Sequence, residues 1–488
     1  MLAVFIIYIA IVIALAIYFS LKSKSSADFV MGGRKIPGFA LALSERAAGE
    51  SSWLLLGLTG LALAEGFSAV WVALGCVIGI LFIWWIMADR LRKSSIETGA
   101  NTIPSLFATR FPNHAFSIQM LSSLIIIFFF LFYIAAQFSG SGKVLFMTFG
   151  LDETSGGLVS AAVIILYTML GGFVTVVAID VFQAILMFFS IVVVPIIAIF
   201  IIASLDISFA QTLSQAAPAI SSLNAGKEGT SAWLFILSGL SWALGYTGQP
   251  HLLARMMAIS NKKHVNIARK VASLWTVIAY IGAILLGLAG YVLLNNSYFA
   301  PAETLAISND AEKILPTMVS CLVTPLMAGI LLSGTVSAMM STAASQLMVC
   351  TFCLTEDVGP HVKRKNKLLL PLSNVWFHRL IIIIVGVVAL VTGMLMSDTV
   401  YGLVSYAWAG IGSSFGPALL LFLFWKKFSA AGVFASLIGG TSGAVLWKMF
   451  FSEPTGISER LVSFVFAFVM AIVFSLLFPP ETNKNQVQ

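Results

Sequence analysis

S-E-R-A-A-G-E-S-S-W, residues 44–53, places Glu45, Arg46 and Glu50 inside a stretch that is apolar on both flanks. Ionisable side chains are costly in hydrocarbon, and where they occur they face a bundle interior or a watery cavity. The inner part, A-A-G-E-S-S (47–52), also interrupts a helical apolar run with small and polar residues. Unwound backbone is tolerated at membrane depth only where it is buried in protein or lines a cavity. A second interruption, G-Y-T-G-Q-P (245–250), carries a proline and two glycines, which free backbone groups from the helical ladder. Either these are two incidental kinks, or they are the matched breaks that mark a binding site between inverted halves.

The rest of the chain sets the frame. Of 488 residues, 59% are hydrophobic and 10% charged, against about a quarter charged in a soluble domain. This is the composition of an all-α integral membrane protein. No polar stretch is long enough to fold a second domain, so residues 1–488 read as one unit. A membrane helix needs about 20 apolar residues. Scanning on that basis gives thirteen spans: 2–21, 39–64, 69–89, 116–147, 155–177, 180–204, 231–250, 271–294, 325–353, 379–397, 400–424, 429–450 and 460–478. The first lacks a basic start and a small-residue cleavage site, so it reads as a retained helix rather than a signal peptide.

Charge orients the spans, because cytoplasmic loops carry excess Lys and Arg. Alternate loops hold Lys22, Lys24, Arg34 and Lys35; Arg90, Arg92, Lys93 and Arg110; Arg255, Lys262, Lys263, Arg269 and Lys270; Lys363, Arg364, Lys365, Lys367 and Arg379; Lys426 and Lys427. The opposite loops carry Asp152, Glu153, Asp206, Glu303, Asp310, Asp398 and Glu453. The asymmetry puts the N-terminus outside and the C-terminus in the cytoplasm. It also explains the net charge of +7 without nucleic acid. Cys76, Cys321, Cys350 and Cys353 lie in apolar segments with no histidine or second pair beside them, and read as small buried residues.

The two breaks fall in spans 2 and 7. Five spans apart is an odd number, so the two helices run in opposite directions. On span 9, Ser333, Ser337, Ser341 and Ser345 recur every fourth residue, with Thr342 beside them. They share one slowly drifting helix face. Such a row is either a packing surface between membrane helices or a set of oxygens suited to a hard cation.

Seven motifs resemble the sodium/solute symporter family, and within it the bacterial sodium/proline branch. They are D-F-V-M-G-G-R (28–34), S-S-W-L-L-L-G-L (51–58), I-L-Y-T-M-L-G-G-F (165–173), G-Y-T-G-Q-P-H-L-L-A-R-M-M-A (245–258), A-M-M-S-T (338–342), L-T-E-D (354–357) and G-L-V-S-Y-A-W-A-G (402–410). The resemblance implies a five-plus-five inverted repeat with a leucine-transporter-like core. Spans 2–6 (about 39–204) form one repeat and spans 7–11 (about 231–424) the other, flanked by helices 1, 12 and 13. It implies sodium held by the carbonyls of Ala47, Glu50 and Ala338 and the hydroxyls of Ser341 and Thr342. It implies substrate contact at Trp242, Tyr246 and Pro250, with Tyr133 and Gln249 on the pathway. Each has a plainer alternative: Trp242 and Tyr246 as an i, i+4 packing pair, Tyr133 as a packed aromatic, Pro250 and Gln249 as parts of the break. For His251, beyond the break, a structural role is expected over a proton relay.

The chain also departs from the pattern. Family members carry an acid where Gly49 stands; here the carboxylate comes one residue later, about 100° around the helix. Arg46 and Glu50 are i, i+4 and able to pair, and with Glu45 the trio sums to −1. The expectation is one Arg46–glutamate pair and a remaining carboxylate that biases the site toward a cation, or else a purely structural ion pair. Ser51, Asp180, Ser345, Arg46 and Arg34 are candidates for coupling or gating. Asp180 is expected as a gate or ion partner, since Ala344 replaces a serine that a second sodium would need.

The expected activity is sodium-coupled import of a small solute, L-proline first, by alternating access in a bacterial cytoplasmic membrane. The alternatives are proton coupling, another small amino acid or organic solute, and a passive channel. No nucleophile–base pair, metal cluster or phosphate loop suggests an enzyme. The short C-terminal tail offers no signalling domain. Sodium is the expected coupling ion, with no organic cofactor, and lipid and the solute are the expected partners, with no nucleic acid and no obligate protein.

Overall fold

The computed structural model describes residues 1–22, 31–361, 375–396 and 398–480. Part of the D-F-V-M-G-G-R motif, Lys24 and the basic run Lys363–Lys367 lie outside the described residues. The described residues form helices and turns without a strand. In lipid a helix satisfies its backbone groups within itself, which is why a chain this apolar folds this way.

Among the described residues, eleven helical stretches are long and apolar enough to cross a membrane. Their relation to the thirteen expected spans is physical. Spans 2 and 3 form one helical stretch, Gly38–Thr98, of 61 residues, turning at Gly66 with φ 60°. Span 7 consists of Gly229–Leu240, Trp242–Tyr246 and Pro250–Met257, each too short to cross alone. The span expected at 155–177 ends at Leu170, because Gly171 and Gly172 adopt extended backbone and Phe173 already begins Phe173–Ser204. Apolar residues run through that turn, so hydropathy could not see it. Span 8 starts early, at Lys262, where Asn261 caps the helix through its side chain.

Burial sorts the spans into a centre and a rim. The most apolar parts of Pro325–His361 and Val400–Phe424 are 83% buried, against 17% for Leu2–Leu21 and 33% for Glu459–Leu477. Span 9 (Pro325–Phe352) packs against spans 2, 4 and 6, while Ala430–Phe450 and Glu459–Leu477 pack on each other and on span 11. Rim helices present Ile6, Ile7, Phe200 and Leu476 outward, as lipid-facing surfaces do. The centre is different. Arg46 and Arg255 are among the largest fully buried side chains, beside Trp53, Trp84, Trp242 and Trp408. The cysteine expectation holds for Cys76, Cys350 and Cys353, but Cys321 is exposed on the short helix Ile314–Leu322.

Candidate functional site

Span 2 breaks at Ser51, whose φ of 49° and ψ of −168° a non-glycine residue rarely adopts. A π-helical turn, Trp53–Leu58, follows. Backbone of this kind persists only where its surroundings hold it, and it concentrates at functional sites. Here Ser51 Oγ accepts the Trp53 N–H at 3.1 Å and lies 3.4 Å from the Tyr133 hydroxyl. The Ser52 N–H donates to Gln137 Oε1 at 3.0 Å. Two residues of span 4 (Ala115–Phe149), one turn apart, therefore support the break.

Span 7 unwinds across Thr247, Gly248 and Gln249, and Pro250 restarts the helix at the position where its missing N–H leaves nothing unpaired. Span 11 (Val400–Phe424) lies directly on this segment. A Cβ at Gly245 would stand 1.9 Å from Trp408 Nε1, so only glycine permits the contact.

Spans 2 and 9 meet at the break. The Thr342 hydroxyl donates to the Ala48 carbonyl at 3.0 Å and stands 3.4 Å from that of Ala47. The Glu50 carbonyl accepts the Trp53 N–H, and Ala338 is buried one helical turn from Thr342. Ser341 points elsewhere in this structure, donating to Asp180 Oδ1 at 2.6 Å. The serine row thus fans out: Ser337 donates to the Tyr8 hydroxyl at 2.9 Å, and Ser345 accepts from Arg255 at 2.5 Å.

Asp180 is the hub of a second cluster. Its Oδ2 accepts from Ser44 Oγ at 2.5 Å and from Arg255 Nη2 at 3.2 Å. Arg255 further donates to the His251 carbonyl at 2.6 Å and to Ser44 Oγ at 3.2 Å. Arg255 was expected among the loop cations. It is instead 2% exposed within Pro250–Met257, because Asp180 and three oxygens replace its hydration. Asp180 as an ion partner is as expected; its partner was not foreseen.

The opening trio is also corrected. Arg46 pairs with both glutamates, leaving no remaining carboxylate. It donates through Nε to Glu45 Oε2 at 2.6 Å, through Nη2 to Glu45 Oε1, and through Nη1 to Glu50. Trp84 Nε1 also donates to Glu45, at 2.9 Å. Tyr280 donates to Glu50 Oε2 at 2.8 Å, and its hydroxyl lies 2.9 Å from that of Tyr246. Arg46 engages three of the four carboxylate oxygens, and Tyr280, from span 8, engages the fourth. Gly49 has Leu252 only 3.1 Å from where a Cβ would stand.

Aromatic rings close the space between the breaks. Trp53 and Trp242 stack at 4.2 Å with 15° between planes. Trp408 meets Tyr246 edge-on at 4.6 Å. Within this region several buried polar atoms have no partner: Ser52 Oγ, Trp53 Nε1, Gln249 Oε1 and both amide atoms of Gln346. Buried polar groups are nearly always bonded, so a cluster of exceptions calls for an explanation, and a small polar ligand supplies one. Two cavities lie beyond Pro250; one touches Pro250 and Ala254, the other Arg255 and Ser345. They lie on the basic side of the break, and the Trp53–Trp242 stack lies on the other.

Arg34 ties that basic end together. It follows two left-handed glycines and itself has φ 56°. It donates to the Met257 carbonyl at 2.8 Å and to the Ser95 carbonyl and hydroxyl at 3.1 and 2.9 Å. Burial, then the neighbouring Arg92 charge, lowers its pKa. At the opposite end Lys143 reaches Glu312 at 2.5 Å and Asp310 at 2.8 Å, and Glu312 accepts the Val400 and Tyr401 N–H groups.

The site expectations missed Arg255, Ser44, Tyr280, Gln137, Trp408 and Gln346. For Arg255, Gln137 and Gln346 a signal existed: each is a polar residue inside or beside a membrane span.

Comparison with known proteins agrees with this architecture. The family model described as "Sodium:solute symporter family" matches residues 29–440. The chain is 34% identical over 478 residues to the sodium/proline symporter of Escherichia coli (strain K12), covering 98% of this chain and 93% of that one. It is 34% identical to the osmoregulated proline transporter OpuE of Bacillus subtilis (strain 168), covering 96% and 95%. A solved Na+-coupled sialic acid symporter, in a substrate-bound outward-open state, superposes with a TM-score of 0.76 at 18% identity, covering 98% and 97%. The chain belongs to the sodium:solute symporter family. It is a multi-pass membrane transporter and not an enzyme.

Proposed function

We propose that this family member imports L-proline in symport with sodium, by alternating access. The observation that carries the reading is the approach of the Thr342 hydroxyl to the Ala47 and Ala48 carbonyls, at 3.4 and 3.0 Å, across two helices. Sodium is the cargo whose chemistry suits that place: neutral hydroxyl and carbonyl oxygens are ligands for a hard cation. Its ligands are the carbonyls of Ala47, Glu50 and Ala338 with the hydroxyls of Thr342 and Ser341, the last turning from Asp180. Relatives named for proline transport, aligned over almost the whole chain, support the choice of solute.

The solute lies between the breaks, with Trp242, Tyr246, Pro250, Tyr133 and Gln249 about it. Sodium bound to span 2 fixes the break on which Ser51 and Trp53 depend, so the two ligands raise each other's affinity. Residues 39–204 and 231–424 are the two repeats that move against each other. The basic end carrying Arg34 and Lys426 faces the cytoplasm, which puts the N-terminus outside and the C-terminus inside. A bacterial cytoplasmic membrane is the setting. One charge crossing 100 mV supplies about 2.3 kcal/mol, and a tenfold gradient about 1.4 kcal/mol. Together they sustain an accumulation of several hundred-fold at one-to-one stoichiometry.

The proton-driven alternative needs a carboxylate open to exchange, and Glu45 and Glu50 are both bound to Arg46. The test is uptake of radiolabelled proline by proteoliposomes with and without an inward sodium gradient. Uphill accumulation that requires sodium is expected. Sodium-independent or merely equilibrating uptake refutes the reading.

A further inference from the structure

Arg460 begins span 13 (Glu459–Leu477), a helix outside the expected repeats, yet it reaches the centre. Its guanidinium carbon lies 4.6 Å from the ring centroid of Trp242. Trp242 in turn stacks on Trp53 at 4.2 Å. Guanidinium and two indoles therefore form a continuous pile, from the acidic end of the bundle toward the break in span 2. Both flanking arginines of the site, Arg46 and Arg255, are bound to carboxylates. Arg460 is less completely used.

Arg460 is 8% exposed. Its Nη1 donates to Ser405 Oγ and lies 3.5 Å from Glu459 Oε1, a distance at the limit of a hydrogen bond. Glu459 Oε1 also accepts from Ser405 at 2.9 Å, and Oε2 from Ser452 at 3.5 Å. The Arg460 Nε–H is buried without a partner. A buried, charged donor left unsatisfied calls for an acceptor with negative charge. A guanidinium presents its donors as a planar fork, which a carboxylate fits with two parallel bonds.

We propose that Arg460 and Trp242 form an outer subsite that receives the carboxylate of the incoming amino acid before the Trp53–Trp242 stack opens to admit it. The proposal rests on import of a carboxylate-bearing solute. Glu459 is the built-in competitor: it holds the guanidinium while the subsite is empty and yields it to the solute. A helix outside the repeats thereby contributes to solute selection.

The test uses the full chain in proteoliposomes with an inward sodium gradient. Wild-type initial rates of proline uptake are measured with azetidine-2-carboxylate or prolinamide as competitor. Failure of the wild type to take up proline overturns the underlying reading, independently of the variants. With uptake present, Arg460→Gln is expected to raise KM at least tenfold, to abolish the preference for the carboxylate-bearing competitor, and to leave the half-saturating sodium concentration unchanged. Arg460→Lys recovers part of the loss. Glu459→Gln, which removes the competitor and keeps the arginine, is expected to hold or lower KM. If Glu459→Gln raises KM as Arg460→Gln does, the arginine merely serves its ion pair and the proposal fails. It also fails if Arg460→Gln keeps KM within twofold of wild type. Should Arg460→Gln not reach the membrane, the Glu459→Gln result alone decides.

Discussion

Asp180 and Arg255 face each other at 3.2 Å inside the bundle, one on span 6 and the other just past the break of span 7. Each belongs to a different expected repeat. The pair also gathers Ser44, Ser341 and Ser345, so it touches spans 2 and 9 as well. A pair at this depth is a weak source of net stability but a costly thing to break from one side.

Single variants of that pair should therefore be worse than the double one. Asp180→Asn or Arg255→Gln is expected to lose about 3–5 kcal/mol of stability, because the surviving charge is buried without its partner. Asp180→Asn combined with Arg255→Gln should lose clearly less than the sum. Thermal unfolding in detergent measures all three, and strict additivity would show that the two side chains do not depend on each other.

The same logic ranks variants of the trio on span 2. Arg46→Gln leaves Glu45 and Glu50 without their shared cation and is expected to be the most damaging change. Glu50→Gln keeps the two-pronged Arg46–Glu45 contact and the Tyr280 contact through its amide oxygen. It should cost less than Arg46→Gln by about 2 kcal/mol or more. A lower unfolding midpoint for Glu50→Gln than for Arg46→Gln would contradict the assignment.

Thr342 reports on the proposed cation. Removing its hydroxyl deletes one ligand and one buried hydrogen bond, worth about 1–3 kcal/mol. Thr342→Ala is expected to raise half-saturating sodium roughly fivefold to a hundredfold, with Thr342→Ser close to wild type. Sodium activation curves for proline uptake give the answer. A wild-type curve for Thr342→Ala removes the hydroxyl from the ligand set.

Trp242 should act through its face. Trp242→Phe keeps a ring against Trp53, whereas Trp242→Ala removes the stack, whose geometry alone is worth about 0.5–1.5 kcal/mol. The expected order of KM for the solute is wild type, then Trp242→Phe, then Trp242→Ala, with the alanine variant at least several-fold above wild type. Equal KM values for all three would separate the stack from solute binding.

Much of this was legible in one dimension because lipid imposes simple rules. Apolar runs of membrane length, the alternation of basic and acidic loops, and the breaks at 47–52 and 245–250 are local features. Each follows from the cost of an unbonded backbone or a bare charge in hydrocarbon, so the chain must display it. The Gly171–Gly172 turn escaped, because hydrophobicity does not change across it.

Beyond the Arg46–Glu50 pair at i, i+4, pairing was not legible. Glu45, Arg46 and Glu50 announce a buried ionic group, but which oxygens remain available depends on Trp84, Thr276 and Tyr280, carried in by other helices. Arg255 looks like a loop cation until Asp180, 75 positions earlier, is found beside it. Ser341 and Thr342 are neighbours in sequence, yet about 100° of helix rotation turns one to Asp180 and the other to Ala48. The sequence by itself determined that two membrane helices are broken, where they break and which side chains stand at the breaks. Only the tertiary structure decided which donor meets which acceptor, because hydrogen bonds reach about 3 Å and depend on how distant helices are rotated against one another.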